Sequence, residues 1–180
     1  MSDKKQYQSP MEPWKELQPY SQNCHLPKFD LNLFYFEAGV EYENTILMIH
    51  GLGDEADTWR HIFGSLSKSY HLIALDLPGF GRSDKPDREY TPKFMMESII
   101  DLMDRLHIDK AILMGSSLGA MLSHGIALGH PKRVKGLILV DGALLQTKPM
   151  LDLSFGLMRI PLLGEFLYNR LRKDPDAAFD

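Results

Sequence analysis

Gly115-Ser116-Ser117-Leu118-Gly119 carries the residue types most directly suited to covalent chemistry, a hydroxyl set between small neighbours. A serine is a weak nucleophile until its oxygen is held clear of the backbone, beside a base and near donors for developing negative charge. The spacing G-x-S-x-G meets the first need on a sharp strand-to-helix turn, which strains the serine backbone and crowds the positions two residues either side. Gly115 and Gly119 put small residues around Ser117, whereas the other phase would place Met114 and Leu118 around Ser116. Ser117 is therefore the candidate catalytic nucleophile, and Ser116 a packing or hydrogen-bonding neighbour.

Attack on a carbonyl puts charge on its oxygen, so two backbone N–H groups should wait there. Leu118 supplies one, at the start of a helix whose dipole favours an anion. The other should come from a loop after a different strand, and His50-Gly51-Leu52-Gly53-Asp54 follows such a strand directly, making Leu52 the second candidate for an oxyanion hole. His50 and Gly51 read as support for that loop, because a histidine just inside a strand end more often holds the turn by hydrogen bonds than acts as a base. Asp76-Leu77-Pro78-Gly79-Phe80-Gly81-Arg82-Ser83-Asp84 reads as a tight turn, with Asp76 and Arg82 a charge-assisted anchoring pair.

Short apolar runs must position these loops. Thr45 to Ile49, His71 to Leu77, Lys110 to Met114 and Lys135 to Val140 are almost continuously apolar, as in strands buried on both faces. Between them, Trp59, Ile62, Phe63 and Leu66 fall on one helical face with Asp57 or Thr58 as cap. Met96, Ile99, Ile100, Met103 and Leu106 repeat the pattern after Pro92, and a third helix should run from about Leu118 to Leu128. Strands alternating with helices predict an α/β fold, a mostly parallel sheet with helices on both faces. Residues 31–37 read as an early antiparallel strand or hairpin, and residues 1–25 as an arm without periodicity.

At 180 residues and 44% hydrophobic content, the chain suits one domain with a real core. The net charge of −4 is spread without a basic cluster, which excludes the footprint of a nucleic-acid binder. A single cysteine, Cys24, forbids an internal disulfide and suits a reducing compartment. Met1 to Tyr20 is polar and broken by prolines, with neither a secretory apolar region nor a membrane span, so the expected location is cytoplasmic.

Taken in order, HGLGDEADTW, DLPGFGRSDKP and GSSLGA, each after a strand, resemble the α/β-hydrolase fold superfamily over residues 30 to about 145. The resemblance implies that Ser117 is the triad serine, that Leu52 and Leu118 lend their N–H groups to the oxyanion hole, and that His50, Gly51, Gly115 and Gly119 support the motifs. It implies attack on an ester or similar carbonyl, an acyl-enzyme and hydrolysis, with no metal and no organic cofactor. Cofactor-free C–C bond hydrolases, lactonases and perhydrolases share these motifs, whereas haloalkane dehalogenases and epoxide hydrolases usually have a carboxylate where Ser117 stands. A non-catalytic binding or regulatory member is the alternative from another class.

In this fold the triad runs serine, acid, histidine. After Ser117 the sequence holds only His124 and His130, in or at the end of the helix that leads away from the serine. His25, His61, His71 and His107 read as surface or loop residues. Asp141, ending the KGLILV run, stands where some relatives carry the triad acid; most carry it one strand later. Residues 143–180 hold many apolar side chains between prolines and resemble the start of a helical cap, which would favour a small-molecule substrate with an apolar acyl or alkyl group. The expected organisation is an arm over 1–29, a core over 30–145 and the start of a cap or lid over 146–180. It is truncated after the strand that follows the nucleophile helix, with that strand an exposed apolar edge, and so has little or no hydrolase activity.

Overall fold

The computed structural model describes residues 12–141. Its layers follow from the side-chain alternation hidden inside the apolar runs. In β3 (Thr45–Ile49) and β4 (His71–Leu75), successive side chains point to opposite faces of the sheet, and both faces are covered. Leu47, Ile49, Ile73 and Leu75 join one apolar cluster, closed by Phe94, Ile99 and Leu102 of α2 (Pro92–Arg105) and by Leu122 and Ile126 of α3 (Leu118–Gly129). Ile46, Met48, Leu72 and Ala74 join the other, closed by Trp59 and by Phe63 of α1 (Arg60–Leu66). Each fully buried aliphatic side chain of this kind contributes about 1.5–3 kcal/mol.

The remaining strands are β1 (Ser21–Leu26), β2 (Leu31–Ala38), β5 (Ala111–Ser116) and β6 (Val134–Val140), giving the order β1-β2-β4-β3-β5-β6. The pairs β1–β2 and β2–β4 are antiparallel, and β4, β3, β5 and β6 run parallel. The chain leaves β3 to build β4 on one side and then crosses to build β5 on the other. Ile49 is in register with Leu75 and with Gly115, so the loops after β3, β4 and β5 emerge together where the strand order reverses. Such a reversal is where open α/β sheets bind ligands.

Several expectations need correction. Residues 21–26 fall in the expected arm yet form β1; their sequence is polar and only Leu26 is buried, because backbone pairing from Ser21↔Phe36 to Leu26↔Leu31 holds this strand. β4 stops at Leu75 rather than Leu77, since the Leu77 N–H donates to His50 Nε2 at 2.9 Å instead of a neighbouring strand. β5 continues past Met114 to Ser116, because Gly115 and Ser116 pair with Leu139 and Val140 of β6. Neither Asp57 nor Thr58 caps α1, which is entered through a 3-10 turn over Ala56–Trp59 with no side-chain cap. α2 starts as expected at Pro92 and is capped by Thr91, whose Oγ1 accepts from Phe94 N–H at 3.2 Å.

His71 is a strand residue, with Nε2 at 2.9 Å from Glu37 Oε1 and Nδ1 at 3.2 Å from Thr45 Oγ1. β6 is an outer strand of the described sheet, and Leu137, Ile138, Leu139 and Val140 remain 37–41% exposed. The expected cap segment 146–180 lies outside the described residues. Among the described residues, no helix is long and apolar enough to cross a membrane, and no cluster of three His, Cys, Asp or Glu side chains could hold a metal ion.

Candidate active site

Ser117 stands alone between β5 and α3, with φ 49° and ψ −109°. A positive φ in a residue with a side chain costs on the order of 1–3 kcal/mol, and surrounding structure must enforce it. Gly115 and Gly119 do so by close approach. A methyl group on Gly115 would lie 2.3 Å from the Gly119 carbonyl, and one on Gly119 would lie 2.1 Å from the Ile49 carbonyl oxygen. The first turn of α3 is thereby pressed onto the end of β3, and the Ser117 N–H donates to Val140 O at 3.1 Å. Ser117 is exposed at the top of this turn, while Ser116 is half-buried.

The loop after β3 comes to the same place. A Cβ on Gly51 would be 3.4 Å from Ser117 Cβ, so Leu52 follows within one residue of the turn. Leu118 is the first residue of α3, where N–H groups have no partner inside the helix. Among the described residues, no carbonyl accepts from the N–H of Leu118 or of Leu52. The exposed Ser117 turn, the first residue of α3 and the loop after β3 thus lie together at the strand ends.

His50 is fully buried, and both ring nitrogens are engaged. Nδ1 donates to Gly51 O at 2.7 Å, and Nε2 accepts from Leu77 N–H at 2.9 Å, which fixes a neutral tautomer. Burial pushes its pKa below the usual histidine range, despite the opposing pull of the Gly51 carbonyl and Asp76. The ring ties the loop after β3 to the loop after β4, with no nitrogen left to take a proton from Ser117.

Asp76 makes a second tie. Fully buried, it accepts from Ala56 N–H at 2.7 Å and Arg82 N–H at 2.7 Å, and pairs with the Arg82 Nε at 2.8 Å. Arg82 also pairs with Asp57, which accepts the Trp14 N–H. Desolvation works against the Arg82 charge, yet hydrogen bonds and charge from Asp76 and Asp57 hold its pKa above the ordinary value. Sequence reading anticipated the Asp76–Arg82 anchor but took Asp57 for a helix cap, because its partners Trp14 and Arg82 lie far away along the chain and leave no local pattern.

The remaining candidates lie apart. His124 is on α3 and His130 ends it, whereas His25, His61 and His107 are exposed. Asp141 follows β6 with φ 49° and is exposed, one residue beyond the Val140 carbonyl that accepts from Ser117. Sequence reading also missed an apolar groove of about 310 Å³ that borders Leu52 and Leu118 and includes Phe80, Tyr90 and Met95. Those three belong to the β4–α2 loop and α2, where no periodicity marks them as neighbours of Ser117.

The profile of the alpha/beta hydrolase fold matches residues 44–178. An uncharacterized protein of Mycobacterium tuberculosis is 34% identical over 128 residues, covering 66% of this chain and 38% of that protein. The 2-hydroxymuconate semialdehyde hydrolase of a Pseudomonas species is 35% identical over 102 residues, 54% of this chain and 36% of that enzyme. Among solved structures, a mutant epoxide hydrolase of Vigna radiata aligns with a TM-score of 0.65 at 26% identity, covering 72% of this chain and 40% of that one. The chain thus spans less than two fifths of the length of these curated relatives.

Two outcomes follow from the geometry. Gly119→Ala should cost at least about 3 kcal/mol in urea unfolding, since backbone rather than a flexible side chain blocks the methyl group. Gly64→Ala in α1, where a Cβ meets nothing within 4 Å, should instead gain about 0.5–1 kcal/mol; equal effects would contradict the close approach. Because His50 binds a proton less readily folded than unfolded, its contribution is complete above about pH 6.5 and is lost as pH falls through that value toward the depressed folded pKa. His50→Gln should flatten this acid-side loss in unfolding curves recorded across the window, and an unchanged slope would contradict the assignment.

Proposed function

The chain belongs to the alpha/beta hydrolase fold family, and on that premise we propose that it carries the nucleophile portion of a serine hydrolase acting on an ester or related acyl substrate. The supporting observation is the positive-φ turn that exposes Ser117 beside two N–H groups without acceptors among the described residues. In this reading, Ser117 Oγ adds to the carbonyl carbon and gives its proton to a base. The carbonyl oxygen takes the negative charge against the N–H groups of Leu52 and Leu118. Collapse of the tetrahedral intermediate expels the leaving group and leaves an acyl-enzyme, which water then cleaves by the same two steps. This chemistry needs no metal or organic cofactor.

The base is assigned to a residue outside 12–141, because His50 is engaged on both nitrogens and the other described histidines stand away from the turn. Asp141 is the candidate acid within the described residues, a reading supported by its position one residue after the Val140 carbonyl that accepts from the Ser117 N–H. Without a histidine in reach, the oxyanion donors and binding alone supply about 10³–10⁴-fold over water. These 180 residues by themselves are therefore proposed to turn over esters little. A cytoplasmic setting remains part of the reading and rests on the single cysteine.

A second reading is a C–C bond hydrolase, favoured by the relative named 2-hydroxymuconate semialdehyde hydrolase. Epoxide hydrolysis would call for a carboxylate at position 117. A non-catalytic binder has no use for strain at that serine. The decisive test is treatment with a small organophosphonate followed by peptide mass spectrometry. The adduct should sit on the peptide bearing Ser117 in preference to every other serine and vanish in Ser117→Ala, while label spread evenly over several serines would contradict the reading.

A further inference from the structure

We propose that the apolar groove beside the Ser117 turn is a size-limited seat for the acyl group of the substrate, and that Tyr90 sets how long that group can be. The inference rests on Ser117 being the nucleophile. Leu52 and Leu118, whose N–H groups flank the reacting carbonyl in that reading, also line the groove, so the groove adjoins the position of a group attached to the carbonyl carbon. Phe80, Tyr90 and Met95 line it too, from the loop after β4 and from α2.

No charged side chain lines this space, and its one side-chain polar atom, the Tyr90 hydroxyl, already donates to Pro86 O at 2.7 Å. A charged acyl group would lose its hydration there without compensation. An uncharged apolar group would gain about fourfold in affinity for each methylene buried. The groove is partly open to solvent, so the gain continues only while added carbons stay within its volume of about 310 Å³. At roughly 30 Å³ per water-sized group, it holds about ten non-hydrogen atoms, a benzoyl group or a linear acyl chain of about eight carbons.

Tyr90 is suited to set that limit because its ring is held from three directions. It packs so closely on Gly79 that a Cβ there would lie 2.4 Å from Tyr90 Cε1. Gly79 has φ 87°, so that its backbone as well as its missing side chain makes the seat for the ring. The hydroxyl is tied to Pro86, and Phe94 meets the ring edge-on at 6.0 Å between centroids. A ring so fixed keeps its place along the groove although it is 37% exposed, whereas a freely turning one would yield to longer chains.

The test uses the 180-residue chain and n-alkylboronic acids of about two to twelve carbons, because boron accepts the Ser117 oxygen without needing a leaving group. Calorimetric affinity should rise about fourfold per carbon, then stop rising near about eight carbons. Tyr90→Ala should move that break to longer chains and Tyr90→Trp to shorter ones. Tyr90→Phe, which keeps the ring, should leave it in place. Ser117→Ala should remove the advantage of each boronic acid over the matching alcohol while keeping the dependence on length.

A length dependence that survives without any Ser117 effect would retain the seat and overturn the nucleophile. A Ser117 effect with no length dependence, or with a break unmoved in both Tyr90→Ala and Tyr90→Trp, would overturn the seat and leave the nucleophile standing.

Discussion

Contact between two backbones governs this structure. The first turn of α3 lies against the end of β3 so tightly that Gly119 has no room for a methyl group beside the Ile49 and His50 carbonyls. Gly115 is closed off in the same way by Gly119 and Ala120. Backbone cannot move aside as a side-chain tip can, so the contact fixes three things together: the positive φ of Ser117, the start of α3 at Leu118, and the distance from that turn to the loop beginning at His50. The proposed nucleophile and both proposed donors are consequences of one steric fact. Strain at Ser117 of on the order of 1–3 kcal/mol is carried by the two apolar clusters that hold β3, β5 and α3 in place.

Electrostatics stiffens the loops that the backbone contact brings together. His50 joins the loop after β3 to the loop after β4 through two hydrogen bonds, and Asp76 joins them again through Ala56 and Arg82. Asp57 extends this network to Trp14, so the residues preceding β1 are tied to the same loop. Removing one partner would leave a buried charge unpaired, which is far more damaging than the pair itself is stabilising. A loop held in this way keeps its backbone fixed, as the proposed stabilisation of a developing oxyanion would require.

The strands and helices around the turn were legible because their signals are local. Thr45 to Ile49 reads as a buried strand since both of its faces meet helices, and Gly115 with Gly119 reads as a crowded turn since only small residues fit. What stayed hidden depends on partners distant in sequence. β1 has a polar sequence and is held by main-chain pairing with β2, which no side-chain pattern records. His71 begins an expected strand yet read as a surface or loop side chain, because Glu37 and Thr45 come beside it from two other strands. Tyr90 and Phe80 border Leu118 only because the chain crosses β3 between β4 and β5. Outer position, not composition, explains why β6 is half-exposed although its sequence is as apolar as that of β3.

In the proposed reaction the Ser117 oxygen faces the N–H groups of Leu52 and Leu118. A crystal structure of the chain with a phosphonate on Ser117 should show the phosphoryl oxygen within hydrogen-bonding distance of both amides, with α3 and β3 in contact as described. A phosphoryl oxygen turned to solvent, or a Leu52 amide pointing away from it, would rule out that arrangement.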